Sequence, residues 1–170
     1  MTTSVRNEPV QLQDRAAVAY AAVRIRLSSG ELGPALAKLW PEVSAWLDER
    51  GITPAGRPLI RYHVIDMPEV EISVGLPIEP GAIGDGRIEV GELPAGRYAV
   101  LVHVGSYEEL VQANADLQQW AADNGIAFDG CDGARGWAGR VEFYLTDPGD
   151  DPDPSAWRTA LVYLTLPDNS

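Results

Sequence analysis

Apolar residues fill both faces of residues 98–104: Tyr98, Val100, Val102 and Val104 alternate with Ala99, Leu101 and His103. That pattern predicts a central strand covered on both sides. Gly105 follows as a turn, and Ser106 with Glu109 has the spacing of a capping box, which satisfies free amides at a helix start. Leu110, Ala113, Leu117, Trp120 and Ala121 then recur at helical period, and Gly125 supplies a left-handed stop. Residues 94–125 therefore read as strand, turn and amphipathic helix.

A second copy of this unit lies earlier. Residues 20–27 read as a strand with Ala21, Val23, Ile25 and Leu27 on one face and Tyr20, Ala22, Arg24 and Arg26 on the other. After a turn at 28–30, Leu32, Leu36, Leu39, Val43 and Trp46 keep helical period up to Gly51. Pro34 fits a first turn, whereas Pro41 is expected to kink or divide the helix, because it lacks an amide and crowds the preceding turn. Further strands are expected over 59–66, 70–78, 140–146 and 157–166, with an edge strand as lead-in at 5–10. Residues 79–91 read as a connector, 127–139 as a loop holding Cys131 and Trp137, and 147–154 as an acidic turn.

The two copies superimpose by counting. Tyr20 falls on Tyr98 at a shift of 78, Trp46 on Trp120 and Gly51 on Gly125 at 74, and Tyr62 with Pro68 on Glu142 with Pro148 at 80. Each half reads strand, helix, strand, strand. The expectation is one α+β domain over residues 1–170, made of duplicated β-α-β-β units of about 10–78 and 88–168. The units are related by a pseudo-twofold axis and share a mostly antiparallel sheet carrying two main helices.

Charge and composition remove several classes of function. A net charge of −12 with no run of Lys or Arg argues against direct nucleic-acid binding. No stretch reads as a leader or a membrane span, and a single cysteine, Cys131, leaves no intrachain disulfide; both point to the cytoplasm. Two histidines and one cysteine far apart give no metal-ligand spacing, so neither metal nor cofactor is expected. GAIGDG, within 79–91, lacks the flanking strand and helix of a phosphate loop. The acidic turn at 147–154 lacks the terminal Glu of a calcium loop.

The candidate chemistry gathers on the strand at 140–146. Val141, Phe143 and Leu145 share the face expected to meet the helices, leaving Glu142 and Tyr144 on the other. The repeat puts Tyr62 at the position equivalent to Glu142, so a twofold axis brings the two to opposite walls of one groove. A carboxylate among Tyr62, Tyr144 and Trp137 suits flat lipophilic cations, since each aromatic face contributes ~0.5–2 kcal/mol to a partly desolvated cation. The residues alone also allow Glu142 to point into solvent, Tyr144 to pack and Trp137 to cover the core. His103 reads as a structural partner of the neighbouring turn, and Ser106 as a cap.

Several segments in order carry a resemblance: Pro54-Ala-Gly-Arg-Pro with Arg61-Tyr-His, Gly75-Leu-Pro, and Pro94-Ala-Gly-Arg-Tyr-Ala-Val. His103-Val-Gly-Ser-Tyr-Glu-Glu-Leu, Trp120 with Asn124-Gly125, Glu142-Phe-Tyr-Leu-Thr-Asp-Pro and Trp157-Arg-Thr continue it. Together they resemble the GyrI-like small-molecule-binding family, the effector-binding domain of drug-responsive transcription regulators, from Val10 onward. The resemblance implies a ligand groove at the pseudo-twofold axis, with Glu142 at the family's ligand-site acid. It also implies a stand-alone binder of lipophilic, often cationic aromatic compounds, for sensing or sequestration.

Two alternatives come with the family. One is a hydrolase of cyclopropane-bearing electrophiles, with Glu142 as base and Tyr62 orienting the substrate. The other is an inhibitor that binds DNA gyrase, an acidic surface meeting a basic protein partner. One departure stands out: the family often carries a second acid after the threonine of its final strand, and here Thr159 is followed by Ala160.

Overall fold

The computed structural model describes residues 6–66, 68–128, 136–146 and 151–166. Cys131 and residues 147–150 of the acidic turn lie outside the described residues. The first half holds β1 (Arg6–Asn7), β2 (Gln11–Arg15), β3 (Val18–Ser28), α1 (Leu32–Glu49), β4 (Leu59–Asp66) and β5 (Glu69–Pro77). The second holds β6 (Ile88–Leu93), β7 (Gly96–Val104), α2 (Leu110–Asp123), β8 (Gly136–Tyr144) and β9 (Arg158–Leu164).

All described strands join one antiparallel sheet of order β1-β7-β9-β8-β4-β5-β3-β6, with β2 continuing the line of β1 along β7. The order is symmetric about the β8–β4 seam: β9 and β7 lie beyond β8 as β5 and β3 lie beyond β4. The register agrees, because Arg61 pairs with Val141, the residue that the shift of 80 makes its equivalent. Gly51 and Gly125 close the two helices with φ of 66° and 68°, a left-handed backbone that glycine adopts without strain.

The outermost strands are exchanged between the halves. β2 leads into β3 through Ala16 and Ala17 but pairs with β7, while β6 leads into β7 through Pro94 and Ala95 but pairs with β3. A link from Arg15 to Val18 spans at most about 11 Å. The two ends of the sheet are therefore drawn together, and the sheet curls into a half-barrel. Tyr20, Leu59, Tyr98, Val100, Val141 and Val162 fill the inner face. Arg61 ties this face together, donating to Tyr20 Oη at 3.0 Å, Glu92 O at 2.9 Å and Ala138 O at 2.9 Å.

The helices cover the outer face. Leu39, Val43, Trp46 and Leu47 of α1, and Leu110, Ala113, Leu117 and Ala121 of α2, pack against Ala21, Val23, Ile60, Ile72, Ala99 and Leu101. The capping box forms as expected, with the Ser106 amide donating to Glu109 Oε1 at 3.1 Å.

Three expectations need correcting. α1 runs undivided through Pro41, since its buried stripe continues on both sides of an exposed proline. The connector at 79–91 gives way to strand β6, paired along β3. Trp137 lies in β8, not in a loop.

Candidate functional site

β4 and β8 meet at the centre of the sheet. α1 packs over β3 and β5, and α2 over β7. On this central seam Ile60 pairs with Glu142, and Ile60 belongs to the helix-side core. Glu142 and Tyr144 therefore face the helices, while Val141 and Phe143 enter the inner core, the reverse of the expected assignment. The usual sorting of apolar toward helices fails because the curl buries both faces.

Glu142 is 5% exposed. Its Oε1 accepts from Tyr144 Oη at 2.6 Å and Tyr62 Oη at 3.1 Å, and its Oε2 accepts from Asn114 Nδ2 at 3.2 Å. Three donors on one carboxylate suit the ionised form, an acceptor at both oxygens. Burial, reinforced by the Glu142 charge, pushes the phenols of Tyr62 and Tyr144 well above their ordinary range. At neutral pH both are donors, held to the acid as neutral hydroxyls.

Asn114 relays the site onward. Its Nδ2 also donates to Leu110 O at 2.8 Å, and its Oδ1 accepts from Tyr163 Oη and from Arg140 Nη2 at 3.4 Å. The Arg140 guanidinium lies 4.6 Å from the ring centroid of Trp137, 4.8 Å from that of Tyr163 and 5.5 Å from that of Tyr62. Burial pushes the Tyr163 phenol up to about 12. Aromatic packing continues outward, Trp137 against Tyr163 at 5.4 Å and Tyr144 against Trp40 at 5.2 Å and Tyr107 at 5.5 Å.

The structure thus brings Glu142, Tyr62 and Tyr144 into direct contact, with Trp137 reaching them through Arg140. Asn114, Arg140 and Tyr163 were missed. Tyr163 follows from alternation along β9, but Asn114 sits among the polar residues of α2, where nothing in the periodicity marks it. Trp137 reaches the helix side because the β4–β8 register shifts between Tyr62 and Val64.

The position after Thr159, where the sequence departs from the pattern it resembles, does not reach this surface. Ala160 belongs to the inner core, and Thr159 takes the helix side. Among the described residues no group of His, Cys, Asp and Glu could hold a metal ion. His103 is fully buried, with Nδ1 2.9 Å from Asn7 Oδ1 and Nε2 3.4 Å from Glu109 Oε1 in the capping turn.

A cleft of about 990 Å³ opens elsewhere, beside Leu12, Pro94, Arg97, Asn124, Ile126 and Leu166. Its walls include none of Glu142, Tyr62, Tyr144 and Trp137.

Comparisons agree with this architecture. The family model for the GyrI-like small molecule binding domain matches residues 8–164. The C-terminal domain of EcmrR superimposes with a TM-score of 0.75 at 17% identity, covering 94% of this chain and 98% of that one. Against EcmrR in its DNA complex the TM-score is 0.79 at 17% identity, over 95% of this chain, which spans 58% of that longer polypeptide. SAV2435 bound to tetraphenylphosphonium gives a TM-score of 0.65 at 12% identity, with 94% of each chain covered. A hydrolase from Listeria innocua gives 0.62 at 15% identity, over 92% of this chain and 91% of that one. Curated proteins give no match. No described helix is long and apolar enough to cross a membrane.

Proposed function

The chain belongs to the GyrI-like small-molecule-binding family, and on that premise we propose that it is a receptor for lipophilic aromatic compounds, taken up over the β4–β8 seam. The observation that carries this reading is the buried Glu142, held by Tyr62 and Tyr144 within a wall of aromatic rings. Burying a carboxylate costs several kcal/mol, roughly, unless its environment compensates, and a merely structural strand would place an apolar residue there. The tetraphenylphosphonium held by SAV2435 is a lipophilic aromatic ligand on the same fold. Tyr62, Tyr144 and Trp137 supply ring surface, and Glu142 a polar anchor.

A hydrolase is the second reading, favoured by the contact between Glu142, as base, and Tyr62, as orienting phenol. Three donors already occupy the carboxylate, two on Oε1 and one on Oε2, so an attacking water would have only the remaining site on Oε2 to use.

Titration with the neutral fluorescent probe N-phenyl-1-naphthylamine tests the receptor reading. Saturable binding that Tyr62→Ala weakens about tenfold supports it. No saturable binding, or binding indifferent to Tyr62, contradicts it.

A further inference from the structure

Arg140 stands where a ligand cation would. Its guanidinium lies over three rings, those of Trp137, Tyr163 and Tyr62, at 4.6–5.5 Å. Among the described residues no carboxylate lies within ion-pair distance of it. Its Nε is buried without a hydrogen-bond partner there. The site's acid is engaged elsewhere: Glu142 accepts from Tyr62, Tyr144 and Asn114, and is linked to Arg140 through Asn114.

An incoming lipophilic cation would have to displace the guanidinium from those ring faces or sit beside a like charge. Either route loses affinity. An incoming anion meets an unused N–H donor and a guanidinium that no described carboxylate pairs directly, with the Glu142 charge set back behind Asn114, and a neutral aromatic compound meets no charge penalty.

We propose that Arg140 is the residue that sets ligand charge, turning this site toward anionic and neutral aromatic compounds and away from lipophilic cations. The proposal rests on the receptor reading and gives it a chemical class.

Tetraphenylphosphonium and tetraphenylborate have nearly the same shape and opposite charge, so their affinity ratio isolates the effect. Calorimetric titrations of both ions are made on wild type, Arg140→Gln, Arg140→Met and Arg140→Lys. Enough salt is added to screen the net charge of −12. Wild type is expected to bind the borate more tightly. The Gln and Met variants are expected to shift the ratio toward the phosphonium by about tenfold or more, and the Lys variant to keep the borate preference.

A wild type that prefers the phosphonium overturns the proposal, with or without folded variants. So does an unchanged ratio in a Gln or Met variant that keeps the wild-type circular dichroism. Failure of the receptor reading looks different: neither ion binds, nor does the neutral naphthylamine probe.

Discussion

Tyr62 donates to Glu142 at 3.1 Å across the β4–β8 seam, and their separation of 80 positions is the offset of the internal repeat. The phenol and the carboxylate occupy equivalent places in two halves that have diverged in chemistry while keeping their geometry. Duplication explains how such distant residues meet, because the central strand of each half lies beside that of the other. It also explains why the contact is asymmetric: the equivalent of Glu142 is a tyrosine, and that of Arg140 is Ile60.

Removing the carboxylate strands its donors. Glu142→Ala leaves the hydroxyls of Tyr62 and Tyr144 and the amide of Asn114 without their acceptor, and should cost about 2–4 kcal/mol in urea unfolding. Glu142→Gln keeps one acceptor oxygen but turns an amide toward another donor, so its loss should be smaller. Equal stability of wild type and the alanine variant would contradict the hydrogen-bond network.

α1 passes through Pro41, which is exposed and leaves a gap in the helical hydrogen-bond ladder. Pro41→Ala restores the bond and should stabilise the protein by about 1–3 kcal/mol. Thermal or urea unfolding reads the change, and a destabilised variant would show that the proline has a packing role.

Acid sensitivity should centre on His63. Burial, with the charges of Arg24 and Arg61, lowers its pKa from 6.5 to about 4, and its ring lies 2.7 Å from Ser73 Oγ. The unfolded chain binds the proton more readily than the folded one in that range. Stability contributed by the neutral ring is therefore complete above about 6.5 and is lost as pH falls toward about 4. His63→Gln should flatten the fall in urea midpoint across that window. A slope identical to wild type would assign the acid sensitivity to other groups.

The phenols should titrate late. Tyr62, Tyr144 and Tyr98 all lie above the ordinary value of 10 through burial, and Tyr163 at about 12. Because the unfolded phenols ionise first, this stability is present below about 10 and is lost as pH rises beyond it. Ultraviolet titration of the native protein should therefore show phenolate absorbance rising late and together with unfolding. A full rise at the ordinary value in protein that stays folded would contradict the burial of these rings.

The paired units were legible because their strands and helices carry strong periodicity, and counting alone placed Tyr62 opposite Glu142. The edge strands were less visible. β2 is QLQDR, with no apolar alternation, and β6 is IEVGEL, beside a Gly-rich connector; both are defined by partners distant in sequence. Which way β8 faces was also hidden, since both of its faces are buried and polarity no longer marks the outside. Arg140 and Asn114 read as ordinary surface residues until Trp137, Tyr163 and Tyr62 are folded around the one and Glu142 against the other.

On the reading proposed above, ligands are taken up at Glu142 and not in the cleft lined by Leu12 and Leu166. The most direct measurement is the affinity of N-phenyl-1-naphthylamine for Tyr62→Ala and Trp137→Ala, set beside Leu12→Asp and Leu166→Asp. Losses of about tenfold are expected in the first pair and unchanged affinity in the second. Tight binding that survives at Tyr62 and Trp137 and is abolished at Leu12 and Leu166 would contradict it.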